Sequence, residues 1–129
     1  MKKALLFFIP VLAFTACEKC DDEDGEVCTD DFRMITLTVK SSSMTAITLD
    51  SVYTIRQSTK EKITPQQPMA PGIYVVLDDS YHSKLKKAED NFRFVGWRSN
   101  QIVVDQAFRI AGDNCHINKR SGVDSVMVQ

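Results

Sequence analysis

The chain has 129 residues, 43% of them hydrophobic and 26% charged, with a formal net charge of −1. That length suits one domain with one core, and the basic residues lack interleaved aromatics along one strand, which argues against a nucleic-acid-binding surface. With only four cysteines and two histidines, disulfide and metal chemistry must be decided by where these residues fall.

Met1-Lys2-Lys3 makes a positive start, Ala4 to Phe14 is an apolar run, and Thr15-Ala16 places small residues before a cleavage point. This is the pattern of a secretory signal over residues 1–16, too short to serve as a membrane span. In the plainer alternative, an ordinary signal ends near Ala16, and Cys17 and Cys20 are disulfide partners. From Glu18 to Asp31 there are eight acids against Lys19, whereas Phe32 to Gln129 holds 13 Lys/Arg and 9 Asp/Glu, a net of +4. Residues 17–31 therefore read as a solvated acidic tether and 32–129 as the folded domain. Asp21-Asp22-Glu23-Asp24-Gly25 lacks the alternating ligand spacing of an EF-hand loop, so calcium is not expected there.

Two features of this stretch carry a resemblance. Phe14-Thr15-Ala16-Cys17 resembles the bacterial lipobox, in which the cysteine thiol is acylated and becomes the mature N-terminus. The run Asp21, Asp22, Glu23, Asp24 is similar to the export signal of surface lipoproteins in the Bacteroidota. The resemblance implies a protein lipid-anchored through Cys17 (diacylglyceryl and palmitate chains) to the outer membrane and exposed at the cell surface. Several buried acyl chains, at about 0.8 kcal/mol per methylene, would make that anchor durable.

In the body, Ile35, Leu37 and Val39 alternate with Thr36, Thr38 and Lys40, predicting a half-buried strand. Ile47, Leu49, Tyr53 and Ile55 share a parity opposite Thr48, Asp50, Thr54 and Arg56, predicting a second, with Ser51 on its inner face and Val52 on its polar side. Pro65, Pro68, Pro71 and Gly72 break up residues 59–72, leaving a short edge strand near Lys62-Ile63. Ile73 to Leu77 is apolar throughout and predicts a central strand. Asp78-Asp79-Ser80 can cap a helix, and Tyr81, Leu85 and Ala88 share one face, predicting one short helix over 79–90. Phe92 and Phe94 oppose Arg93 and Val95. Ser99-Asn100 turns the chain, and Ile102, Val104, Phe108 and Ile110 alternate with polar positions, which predicts a hairpin. Val126 and Val128 carry a last strand.

Six or seven short strands, one helix and no βαβ alternation predict a mainly β domain, a single antiparallel β-sandwich. Residues Phe32 to Ile55, Val95 to Ile110 and Asp113-Asn114-Cys115-His116 look like the transthyretin-like or immunoglobulin-like modules of small Bacteroidota lipoproteins. That likeness implies a fold and a location and brings no catalytic residue, because such modules share no active-site motif.

If Cys17 is acylated, Cys20, Cys28 and Cys115 remain, and an oxidising envelope favours one bridge. Cys28 before the first strand and Cys115 before the last are the preferred pair, and Cys20–Cys28 is the rival. No Cys-x-x-Cys or His-x-x-x-His pair is available once Cys17 is acylated, so Cys115, His116 and His82 do not read as a metal site, and no cofactor is expected. No Gly-x-Ser-x-Gly elbow is present. Asp50-Ser51-Val52 and Asp124-Ser125-Val126 resemble a short O-glycosylation acceptor motif of the Bacteroidota, with Ser125 the better candidate. Trp97, Arg93 and Arg98 put a large aromatic and cations on the outer parity of their strand, a candidate contact surface. The other arrangement has the helix covering Trp97 as core. The reading that follows is a non-enzymatic surface module, binding a protein or glycan or serving as an accessory part of an envelope complex. A small envelope hydrolase or metal-dependent protein is the alternative.

Overall fold

A computed structural model describes residues 27–67 and 70–129. The expected signal sequence over residues 1–16, Cys17, Cys20 and the acid run Asp21 to Asp24 lie outside these residues. The described chain forms eight strands in two sheets, a β-sandwich with one short helix. The three-stranded sheet has the order β4-β1-β8, with β1 Met34–Ser41, β4 Ile73–Asp78 and β8 Ser125–Val128. The five-stranded sheet has the order β3-β2-β5-β6-β7. Its members are β2 Ser51–Arg56, β3 Lys62–Ile63, β5 Glu89–Arg98, β6 Gln101–Gly112 and β7 Ile117–Ser121. All strand pairs are antiparallel except β1–β8, which is parallel. The strand that alternation does not signal is β7, which has one apolar residue, Ile117, and lies at a sheet edge.

Ile35, Leu37 and Val39 of β1 point into the core as their parity predicts. β4 corrects its expected central place: it is buried along its length but lies at the edge of its sheet. A continuous apolar run reports burial, not the number of hydrogen-bonded neighbours. Its outward backbone groups are met by the loop before it. Val75 N–H donates to Gln67 Oε1 at 2.8 Å, Gln67 Nε2 donates to the Val75 carbonyl at 2.7 Å, and Ile73 N–H donates to the Ala70 carbonyl at 3.0 Å.

The parity of β2 is the reverse of that expected. Thr54 is fully buried and Val52 packs against the core, so Tyr53 and Ile55 lie on the outer face and Ser51 is exposed. The β1–β4 register shifts between Ile35 and Thr36, leaving Val76 as the extra residue of β4, and its carbonyl accepts from Thr54 Oγ1 at 2.6 Å. A buried hydroxyl with such a partner costs little, so apolarity alone did not decide the face.

The β5–β6 hairpin turns through Ser99 and Asn100, both in the left-handed region at φ 51° and 59°, as a type I′ connection needs. Phe92, Phe94, Val104, Phe108 and Ile110 are in the core as expected. Ile102 is not. A register shift between Gly96 and Trp97 leaves Val103 unpaired, and Ile102 is 47% exposed. One bulge residue reverses every side chain beyond it.

The helical segment is shorter than 79–90. A 3-10 turn, Asp79–Tyr81, leads into α1, His82–Leu85, and β5 has begun by Glu89. Asp78 caps the turn, accepting from Ser80 N–H at 3.0 Å. Tyr81 and Leu85 face inward, but Ala88 is exposed. At Gly112 a Cβ would lie 2.3 Å from the Leu85 carbonyl oxygen, so only glycine lets β6 pass the end of α1. Among the described residues no helix is long and apolar enough to cross a membrane.

Candidate functional site

At one end of the sandwich, Cys28 and Cys115 are joined, with S–S 1.99 Å and Cα–Cα 5.3 Å across 87 residues. The bridge fixes the segment before β1 to the loop between β6 and β7, so Cys115 precedes β7 and not the last strand. Two carboxylates organise the surroundings. Asp79 accepts from Arg33 N–H at 2.8 Å and Ile117 N–H at 2.9 Å, and stands 2.7 Å from His116 Nδ1. Asp113 accepts from the N–H groups of Cys115 (2.7 Å) and His116 (2.6 Å) and from Asn118 Nδ2 (2.6 Å).

Partial burial pushes the Asp79 carboxyl up, but the N–H bonds from Arg33 and Ile117 and the His116 contact outweigh it and hold it below its ordinary value of 3.8. The backbone N–H groups of His116 and Cys115 are the main reason that Asp113 is held at about 2. Asp79 was expected to cap a helix; its long-range partners lie 37 to 46 residues away, beyond any local pattern.

His116 is 6% exposed, and its Nε2 lies 3.2 Å from Thr29 Oγ1. In the neutral ring, Asp79 fixes the proton on Nδ1 and Nε2 accepts from the Thr29 hydroxyl. Hydroxyl, imidazole and carboxylate thus stand in line, the order in which a base-activated nucleophile is built. His82 turns elsewhere, its Nε2 lying 2.9 Å from the Asp113 carbonyl oxygen. With Cys115 in the disulfide, no group of three or more His, Cys, Asp or Glu among the described residues is placed to hold a metal ion.

The opposite end carries the candidate contact surface. Trp97 is half-buried on the outer face of the five-stranded sheet, and its Nε1 donates toward Tyr53 Oη at 3.4 Å. Lys62 Nζ stands 4.2 Å above the Tyr53 ring, a cation–π contact. Val95, between them on the same parity, is buried at 2% exposure. Arg93 forms an exposed ion pair with both carboxylate oxygens of Asp105, and Arg98 is exposed at the hairpin end. The helix does not lie here. It packs against β6 at Gly112, ten residues beyond the partner of Trp97, Ile102, and roughly 30 Å along the strand. Tyr53 and Lys62 belong to this surface and escaped the sequence reading, because the parity of β2 put Tyr53 inside.

Ser125 opens β8 and Ser51 opens β2, and both are exposed. Ser51 is therefore not on a buried parity, contrary to the expectation from alternation. A third polar cluster covers Tyr81: its hydroxyl donates to Glu61 at 2.5 Å, Lys84 pairs with the same carboxylate, and Arg56 Nε donates to Asp90 at 2.5 Å. Two cavities, of about 510 and 570 Å³, open between the β2–β3 edge and β4, and neither is lined by Thr29, Asp79 or His116. No protein-family model, curated protein or solved structure gives a significant match to this chain.

Proposed function

We propose that this chain is a non-enzymatic outer-membrane surface lipoprotein, a binding or accessory module of the kind found in the Bacteroidota. It is anchored by lipid at Cys17, exported on the signal of Asp21, Asp22, Glu23 and Asp24, and meets a protein or glycan through the face around Trp97. The observation that carries the binding role is the group of Trp97, Tyr53 and Lys62 on an outer sheet face away from the helix. Half-exposed aromatics beside cations are the usual anchors of a contact surface. Ser125, exposed at the start of β8, and Ser51, exposed at the start of β2, are equal candidates for O-glycosylation.

Affinity capture with the native lipoprotein, wild type and Trp97→Ala in parallel, tests the binding role. Loss of the captured partner with the fold intact supports it; equal capture by both removes Trp97 from the surface. Anchoring is tested separately. Cys17→Ser is expected to leave the membrane fraction. Neutralising Asp21 to Asp24 is expected to keep the anchor but protect the protein from surface protease.

A second reading, a small hydrolase, is favoured by one observation, the line Thr29–His116–Asp79. Against it, both oxygens of Asp79 also hold backbone N–H groups, and the cavities lie elsewhere. Labelling of Thr29 by an acylating or phosphonylating probe, abolished in His116→Ala, would establish that reading in place of the first.

A further inference from the structure

The flank between β3 and β4 is unusual for what closes it. β3 has two residues and pairs only with Thr54 and Ile55, so the Ser51–Tyr53 part of β2 has no partner in β3. Across the gap, β4 turns the N–H and carbonyl of Val75 outward, and these meet a side-chain amide instead of a strand. Gln67 Oε1 takes the Val75 N–H at 2.8 Å and Gln67 Nε2 gives to the Val75 carbonyl at 2.7 Å. That is one acceptor and one donor, the pair that a single residue of a neighbouring antiparallel strand presents. Gln67 also lines both cavities of this flank. The first holds Phe32, Met34, Ile63 and Tyr81, with Phe32 58% and Met34 39% exposed; the second holds Leu49, Val52 and Tyr74.

We propose that this flank is a strand-addition site, plugged in the free protein by the Gln67 amide, and that its occupant is an extended peptide segment of a partner protein with apolar side chains at alternate positions. The chemistry at Val75 calls for a peptide backbone, and the mostly apolar cavities on either side of Gln67 call for apolar side chains two residues apart. Strand addition uses this division: the main chain supplies affinity and the alternate pockets supply selectivity. An edge closed by the Gln67 amide and, at Ile73, by the Ala70 carbonyl is also protected against random pairing, which suits a site meant for one partner. The site is separate from the Trp97 face, so it goes beyond the function proposed above and stands or falls independently of it.

The test uses the mature chain and a labelled synthetic peptide of the β1 sequence, Met34 to Ser41, whose apolar residues alternate and which already pairs antiparallel with β4 on its other edge. Binding is followed by fluorescence anisotropy, and the Val75 amide by hydrogen exchange. In Gln67→Ala the plug is gone; in Gln67→Met only the amide is lost and the stem still fills the gap. The expected result is peptide binding at least tenfold tighter in either folded variant than in wild type. The Val75 amide should exchange faster in the variant alone and regain protection with peptide. Equal affinity in wild type and both variants, or binding that leaves Val75 unprotected, overturns the proposal. A variant that dimerises in light scattering and ignores the peptide also overturns it, since the occupant would then be a second copy of this chain.

Discussion

At the Cys115 end, Asp79 and His116 are bound to groups far away in sequence, Asp113 holds the N–H groups of its own loop, and a disulfide runs through the group. At the hairpin end, Tyr53 touches both Trp97 and Lys62, and the two rings are only half-buried. The residue types that suggest chemistry are thus concentrated where their bonding capacity is already committed to holding the fold. Uncommitted surface occurs where the residues are aromatic. A histidine beside carboxylates signals function only after its structural partners have been subtracted.

The sharpest way to break this contrast is at the bridge. Closing a loop of 87 residues is worth about 4 to 5 kcal/mol in the chain-entropy model, an upper figure because strain often reduces it. Cys115→Ala is expected to lower the melting temperature by about 10 to 20 °C, read by circular dichroism, and Cys20→Ala to leave it unchanged. Next in size is Asp79→Ala, which strips the acceptor from two backbone N–H groups and from His116. Two or three unsatisfied groups in a half-buried site cost about 2 to 4 kcal/mol. A urea midpoint unchanged from wild type would refute the structural role given to this carboxylate.

Acid titration sharpens the same point. The Asp113 carboxyl falls from 3.8 to about 2 on folding, so the stability it contributes is present above pH 3.8 and is lost as pH falls toward 2. Asp79, also depressed, acts in the same direction. The wild-type melting temperature should fall over that window, and Asp113→Asn should show a shallower fall. The smallest effect is expected at the other end. Trp97→Ala removes a half-buried ring, well short of the 3 to 5 kcal/mol of a core aromatic, so about 1 kcal/mol or less is expected. A drop comparable with that of Asp79→Ala would make Trp97 part of the core and erase the contrast.

Much of the fold was legible in the sequence because alternation in β1, the continuous run of β4 and the paired phenylalanines of β5 report burial directly. The Ser-Asn turn and the Cys28–Cys115 pair were legible too, one from local backbone preference and one from cysteine arithmetic. The misreadings share a cause. Thr54 lies inside because Val76, extra in its strand, offers it a carbonyl, and Ile102 lies outside because Val103 is extra in its own. A bulge is an event between two strands, invisible in either alone. The same holds for the site: Tyr53 joins Trp97 across 44 residues and Asp79 joins His116 across 37. β7 escaped because a polar edge strand has no period to read, and the parallel pairing of β8 escaped because alternation within one strand does not give the direction of its neighbour.

The bridge also determines how the domain would bear a pull. Tension that enters along the N-terminal segment and leaves beyond Cys115 crosses at the bridge, so for that pull the 86 residues between Cys28 and Cys115 are out of the load path. At about 3.5 Å per residue, some 300 Å of slack is withheld from a pull of that kind. Load applied near Trp97, inside that loop, would instead take the shorter way, down the hairpin to Gly112, through the short loop to Cys115 and out at Cys28. The β1–β8 pair, only four residues in register, would lie outside that line. A domain linked in this way transmits force as a short strut, and its contact face would keep its shape under tension.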